Sequence, residues 1–321
     1  MIKTANEMFA DRLLNAVDKK QSNVVVGLDP DTQRLPRFLL DKHMTLHGMG
    51  LKGFASAVAD FNTQIIDAIQ DIAVAVKPQI AFYEALGIHG LEALRKTIRY
   101  AHSRDLLVIQ DAKRGDIGST AEAYAIAHIG LLPINKRKKV SIFGADAVTV
   151  NPLLGSDSIE PFIKRTENNG RGIFVLVKTS NPSSSELQDL ETTYNGKRCR
   201  VYEVIAELVN RWGEKSMGNR GYSSVGAVVG ATFPEQAKLL RELMPQVIFL
   251  VPGYGAQGAK VKDIVDCFNK DGYGAVISSS REIIYAYQKL SVSNDLAEKN
   301  FAEAARESAC KMRDGIRSAL A

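Results

Sequence analysis

Cysteine is scarce in this sequence. Cys199, Cys267 and Cys310 lie far apart among 321 residues. With no Cys-x-x-Cys pair, a disulfide framework or thiolate zinc site is excluded, which points to the cytoplasm. Long apolar runs are also missing, and none approaches the roughly 20 residues that span a bilayer. The N-terminal stretch MIKTANEMFADRLLNAVDKKQS is broken by Asp11 and Arg12, so it reads as an amphipathic surface helix rather than a secretory signal. Neither sign of charge dominates: 41 basic against 36 acidic residues leave +5. That suits attraction of a small anion and is too weak to argue for nucleic acid. The one dense basic run, Lys136 to Lys139, reads as a solvated loop. Histidines number five. His43 and His47 are four apart, but HMTLH lacks the glutamate of a zinc-protease motif and reads as a Gly-flanked loop. No histidine ends a predicted strand, and no Gly-x-Ser-x-Gly elbow is present.

What the chain does have is a rhythm. Eight apolar or β-branched runs recur: NVVVGLD, IAVAVKP, LLVIQD, DAVTVN, GIFVLVK, VGAVVG, QVIFLVP and GAVISSS. Several lack polar alternation, as strands covered on both faces do. Between them stand patterns such as FASAVADFNTQIIDAI and VYEVIAELVNRWG, with apolar residues at helical spacing. Eight strands alternating with helices predict an α/β fold, a (β/α)8 TIM barrel. No linker or composition shift divides it, so one domain is expected over 1–321, with helical extensions at both ends. The polar connection 180–200 suits either a mobile lid or a passive surface loop.

Chemistry in such barrels gathers where strands end. The predicted ends read Asp29-Pro30, Lys77-Pro78-Gln79, Asp111-x-Lys113, Asn151-Pro152, Lys178-Thr179-Ser180-Asn181, Gly230-Ala231-Thr232, Pro252-Gly253-Tyr254-Gly255 and Ser278-Ser279-Ser280-Arg281. Three lysines and two aspartates among them imply a charge-rich pocket. Asp111 and Lys113 share one side of an extended chain, with Asp116 beyond. A lysine flanked by carboxylates keeps its proton, which makes it a good cation and proton donor and a poor Schiff-base nucleophile. A salt-bridge network bracing the rim would look the same. Gly253-x-Gly255-x-x-Gly258 matches a dinucleotide fingerprint in form. It comes after six strands, however, with no acidic residue ending the next, so at best it would suit NADP. Glycines after strand seven and Ser280-Arg281 after strand eight fit a phosphate site built on backbone N–H groups, with Arg281 as an ionic clamp. Tight-turn glycines beside an exposed arginine are the plainer alternative.

DAKRGDIGST, together with VGLDP, VKPQIAFYE, VTVNPLLG, VKTSNP, VVGATFP, PGYGAQG and SSSR, resembles the orotidine 5′-phosphate decarboxylase family in the form of its longer bacterial branch. The likeness covers most of the chain. It implies a barrel of the ribulose-phosphate-binding type, cofactor-independent and metal-free conversion of orotidine 5′-phosphate to UMP and CO2 in pyrimidine biosynthesis, and a homodimer. By position it implies that Lys77, Asp111 and Lys113 form the charged array. Asp116, with Ile117 and Thr120, would reach into the partner's site. Asp29 and Lys77 would bind ribose hydroxyls, Thr179 or Ser180 the pyrimidine edge, and Gln257 base and phosphate. Gly253, Gly255 and Arg281 would bind the phosphate. Two residues depart from the pattern: Glu282 follows the phosphate arginine, and Leu153 stands where an aromatic is usual. Rival readings are a Mg-dependent sugar-phosphate enzyme of the same barrel class, an NADP-dependent oxidoreductase and a non-catalytic phosphate-binding barrel.

Overall fold

Residues 7–254 and 261–321 are described by a computed structural model. Eight parallel strands close into a barrel in chain order. They are β1 (Val24–Leu28), β2 (Ala75–Pro78), β3 (Leu107–Arg114), β4 (Ala147–Val150), β5 (Gly172–Lys178), β6 (Ser223–Val229), β7 (Val247–Val251) and β8 (Ala275–Ser279). Each corresponds to one predicted run. Six of them, β1, β2, β4, β6, β7 and β8, are buried at every residue, as strands walled by helices outside and by side chains inside must be. The ring is sealed where β1 pairs β8, with Val24 opposite Ile277.

Two apolar layers hold the barrel. The outer one lies between strands and helices; there Phe61 of helix Leu51–Ile69 stacks on Phe301 of the C-terminal helix Phe301–Leu320, ring centroids 5.0 Å apart. The inner one includes Val25, Ile109, Phe174 and Ile248, together with Phe9, Leu13 and Leu14 of helix Phe9–Lys20. Phe9 meets Phe174 edge-on at 5.9 Å, and the Ala10 N–H donates to Ser224 Oγ at the start of β6. The amphipathic N-terminal helix therefore plugs the end of the barrel opposite the strand C-termini.

Asp146, immediately before β4, ties this end together. It accepts from Arg12 Nη1 at 2.8 Å, Arg171 Nη1 at 3.2 Å and the Val108 N–H at 2.9 Å, and His102 Nε2 lies 2.8 Å away. Burial alone would raise its carboxyl, but His102 and Arg12 hold it well below the usual range. A carboxyl that is more acidic folded than unfolded stabilises the fold above the unfolded value of about 3.9 and loses that contribution as pH falls below it. Asp146→Asn strips the compensation from two arginines, so we expect a loss of about 3–5 kcal/mol in urea unfolding at pH 7. The deficit should shrink as both proteins are taken into acid.

His43 and His47 do not lie in a loop. They sit on helix Arg37–His47, with His43 Nε2 2.8 Å from Asp60 Oδ2. The flanking glycines follow the helix, with Gly48 as its C-cap, so they punctuate it rather than dissolve it. Of the basic run 136–139, Lys136 to Lys138 lie in an exposed loop, and Lys139 begins the second strand of a two-residue ladder, Leu132–Pro133 with Lys139–Val140.

Candidate active site

At the C-terminal rim, β3 departs from regular pairing. Its register to β4 shifts between Gln110 and Arg114, and Lys113 takes the left-handed conformation at φ +48°. Asp111 and Lys113 are therefore not brought together by simple extended alternation, as their spacing implied. The bulge turns Lys113 back so that its Nζ donates to Asp111 Oδ1 at 2.6 Å. Lys77, at the end of β2, donates to the other oxygen, Oδ2, at 2.7 Å. One carboxylate thus lies between two ammonium groups.

Both partners are shaped by their surroundings. Burial would raise the Asp111 carboxyl, but Lys77 and Lys113 pull it far below the ordinary range. Burial would lower the Lys77 ammonium, but the carboxylates of Asp111 and Asp29 outweigh it and raise the group. Asp29, at the end of β1, completes an alternating row of acid, base, acid, base. Among the described residues its buried Oδ1 has no hydrogen-bond partner, an arrangement that a ligand hydroxyl would satisfy.

The residue that sets the bulge is one the strand-end reading passed over. Thr149 of β4 is 1% exposed. Its hydroxyl accepts the N–H groups of Ala112 at 3.0 Å and Lys113 at 2.9 Å, and donates to Asp111 Oδ1 at 3.0 Å. The available signal was a lone hydroxyl inside an apolar strand, two residues before Asn151. Thr149→Val keeps the shape and removes all three bonds. Since displacement of a reacting group by about 1 Å costs on the order of 10²-fold, kcat should fall by that order, while thermal unfolding shows whether the barrel survives.

Lys178, the third strand-end lysine, does not join the array. It is fully buried and turned to the 180–200 connection, where Nζ donates to Ser184 Oγ at 3.1 Å and Asp189 Oδ1 at 2.9 Å. Desolvation demands such a partner, and the connection supplies one. Thr179 is likewise committed. Its N–H donates to Gln188 Oε1 and its hydroxyl to Asn181 Oδ1, while Gln188 Nε2 donates to that same hydroxyl. The connection carries a short 3-10 turn, Pro182–Glu186, and a ladder of Glu191–Tyr194 with Lys197–Arg200.

Ser180 packs against β6: a Cβ on Gly230 would meet the Ser180 backbone at 2.8 Å. Past β7, Gly253 holds φ +101°, a conformation that favours glycine. Arg281 is exposed at the first residue of helix Arg281–Ile284, after β8. Its neighbour Glu282 pairs with Lys289, which directs that carboxylate away from the turn. Gly255 and Gln257 lie outside the described residues.

Asp116, Ile117 and Thr120 stand apart from the charged row. The Asp116 carboxylate accepts the Ile117 N–H at 2.8 Å, and Ile117 and Thr120 are exposed. Leu153, after β4, is exposed. Among the described residues no group of three or more His, Cys, Asp or Glu could hold a metal ion, and no helix is long and apolar enough to cross a membrane.

Comparison with known proteins bears on the family of the chain. Residues 22–295 match the model described as orotidine 5′-phosphate decarboxylase / HUMPS family. A protein of Rhodopirellula baltica named orotidine 5′-phosphate decarboxylase is 42% identical over 96% of this chain and 99% of its own. One of the same name from Caldicellulosiruptor bescii is 41% identical over 92% of this chain and 97% of its own. Among solved structures, Leishmania donovani OMP decarboxylase superposes with a TM-score of 0.71 at 30% identity, covering 98% of each chain.

Proposed function

The chain belongs to the orotidine 5′-phosphate decarboxylase / HUMPS family, and from that premise we propose how its rim removes CO2 from orotidine 5′-phosphate to give UMP. The observation that carries the reading is the row Asp29, Lys77, Asp111 and Lys113, with Asp111 held between two ammonium groups. Decarboxylation leaves the electron pair of the broken bond on C6 of the pyrimidine. A cation placed beforehand beside that carbon gains strength as the charge grows, which is how a site favours the transition state over the substrate. Lys113 is that cation. It then gives its proton to C6 and is reprotonated from solvent. Lys77 and Asp111 hold it in place, and Asp111 also faces the departing carboxylate.

The remaining residues bind. Asp29 and Lys77 take the ribose hydroxyls. With Thr179 engaged by Gln188 and Asn181, Ser180 is left to read the pyrimidine edge. Arg281 and the backbone at Gly253 hold the phosphate, and Gln257 spans base and phosphate. Asp116, with Ile117 and Thr120, serves the site of a second copy, so the working unit is a homodimer. Three free cysteines suit a reducing compartment, which supports a cytoplasmic enzyme.

The test is the ultraviolet absorbance of orotidine 5′-phosphate mixed with the protein in EDTA. Loss of the orotate band is the expected result. An unchanged band with folded protein, followed by Mg²⁺-dependent turnover of a sugar phosphate, would reassign the chain within its barrel class.

A further inference from the structure

Arg281 and Asp29 belong to opposite ends of the chain, yet they are mounted on one seam. A Cβ on Gly27 of β1 would lie 1.8 Å from Ser280 Oγ, so only glycine lets the two strand ends approach this closely. Beyond the seam, Tyr285 closes the short helix that begins at Arg281, and its N–H donates to the Arg281 carbonyl at 3.2 Å. Its side chain runs back to β1. The hydroxyl donates to the Asp29 carbonyl at 3.0 Å and accepts the Asp31 N–H at 2.6 Å.

We propose that Tyr285 is a positioning residue that holds the Asp29 carboxylate in register with the phosphate end of the site, so that one ligand's ribose and phosphate are gripped as a unit. The inference rests on the reading of the rim given above and adds a residue to it. A phenol has one proton to donate, and here it is spent on Asp29. Its acceptor side is taken by Asp31, so the hydroxyl has a single satisfied arrangement. The ring is fixed as well. It is 2% exposed, with the Arg34 guanidinium 4.0 Å from its centroid and Phe61 stacked at 6.1 Å. Burial pushes the phenol well above its ordinary range, so the proton stays on. What this frame presents is the buried, unpartnered Asp29 Oδ1, aimed to accept from a ligand hydroxyl. The ligand class is a ribonucleoside 5′-phosphate.

The full-length protein is compared as wild type, Tyr285→Phe, Asp29→Ala and the double variant, by calorimetric titration with UMP and by kcat/KM for orotidine 5′-phosphate. Tyr287→Phe is the control. It loses a half-buried bond to the Arg34 carbonyl 2.6 Å away, and its hydroxyl bonds neither Asp29 nor Asp31. Tyr285→Phe should lose at least tenfold in UMP affinity and in kcat/KM with its melting temperature retained. In the Asp29→Ala background it should lose nothing further, and the control should match wild type. Equal affinity of Tyr285→Phe and wild type overturns the proposal. So does a loss of the same factor in both backgrounds, since that would mean Tyr285 acts independently of Asp29. If wild type binds UMP and leaves orotidine 5′-phosphate unchanged, the decarboxylase reading falls, and the affinity cycle still decides on Tyr285. Should Tyr285→Phe fail to fold, Asp31→Pro removes the N–H that both the Tyr285 hydroxyl and the Asp29 carbonyl accept, at a residue whose φ of −70° already suits proline. It must then show the same dependence on Asp29.

Discussion

Lys113→Ala will abolish turnover and leave the barrel and ligand binding standing. Its ammonium is the one group in the row that is both fixed by Asp111 and open at the rim, with nearly half of its side chain accessible. In the proposed mechanism, removing it deletes the charge opposite C6 and the proton that C6 receives, two contributions that act at different moments of one reaction. Loss of a single preorganised donor costs about 10²–10³ in rate elsewhere, and general acid catalysis contributes typically 10²–10⁴. The combined loss should therefore reach about 10⁴ or more. UMP affinity should change little, because phosphate and ribose are held from other strands. Stability should hardly move, since Lys77 still pairs with Asp111. The measurements are orotate absorbance, UMP titration and a melt on one preparation. Retained turnover would remove Lys113 from the chemistry and leave the row as a brace for the rim. Collapse of the melt would show that Lys113 holds the fold instead.

The second large effect is a recovery. Lys113→Ala and Asp116→Ala proteins, each inactive alone, should regain activity when mixed and allowed to exchange subunits. Asp116 lies only three residues past Lys113, yet its carboxylate is spent on the Ile117 N–H and not on the row. Exposed Ile117 beside it, 55% accessible, offers a partner an apolar contact. In a two-fold dimer with shared sites, random exchange makes half the molecules mixed, and half of their sites receive both intact residues. About a quarter of wild-type activity is then expected at equal ratio. No recovery, with exchange verified by mass, would confine each site to one chain. Recovery above a quarter, up to a half, would show that mixed dimers form in preference to the parent dimers.

The features written plainest in the sequence are the ones that depend on neighbours along the chain. All eight strands were legible because a strand covered on both faces has no polar alternation, and their ends could be read in order. Lys77, Asp111 and Lys113 were found in that way. What stayed hidden depends on partners far off in sequence. Thr149 reads as one more strand residue until it meets Asp111, 38 positions earlier. Tyr285 reads as apolar filling until its hydroxyl reaches Asp29, 256 positions away. Lys178 carries the same signature as Lys77, and only the fold of the 180–200 connection shows that Asp189 claims it. The left-handed turn at Lys113 had no marker either, because glycine, its usual sign, is absent at that position.

The seam between β1 and β8 has a consequence for how the enzyme comes into being. Val24 pairs with Ile277, so the ring cannot close until β8 has left the ribosome. Asp29 emerges early and Arg281 late, so the proposed grip on a nucleotide needs both ends of the barrel sequence. Contacts of such long range also slow closure relative to local helix formation. A growing chain is thus catalytically silent through almost all of its synthesis, and activity switches on in one step when the last strand docks. In a coupled translation system, decarboxylation should lag full-length product by the docking time alone, and arrest before β8 should yield none.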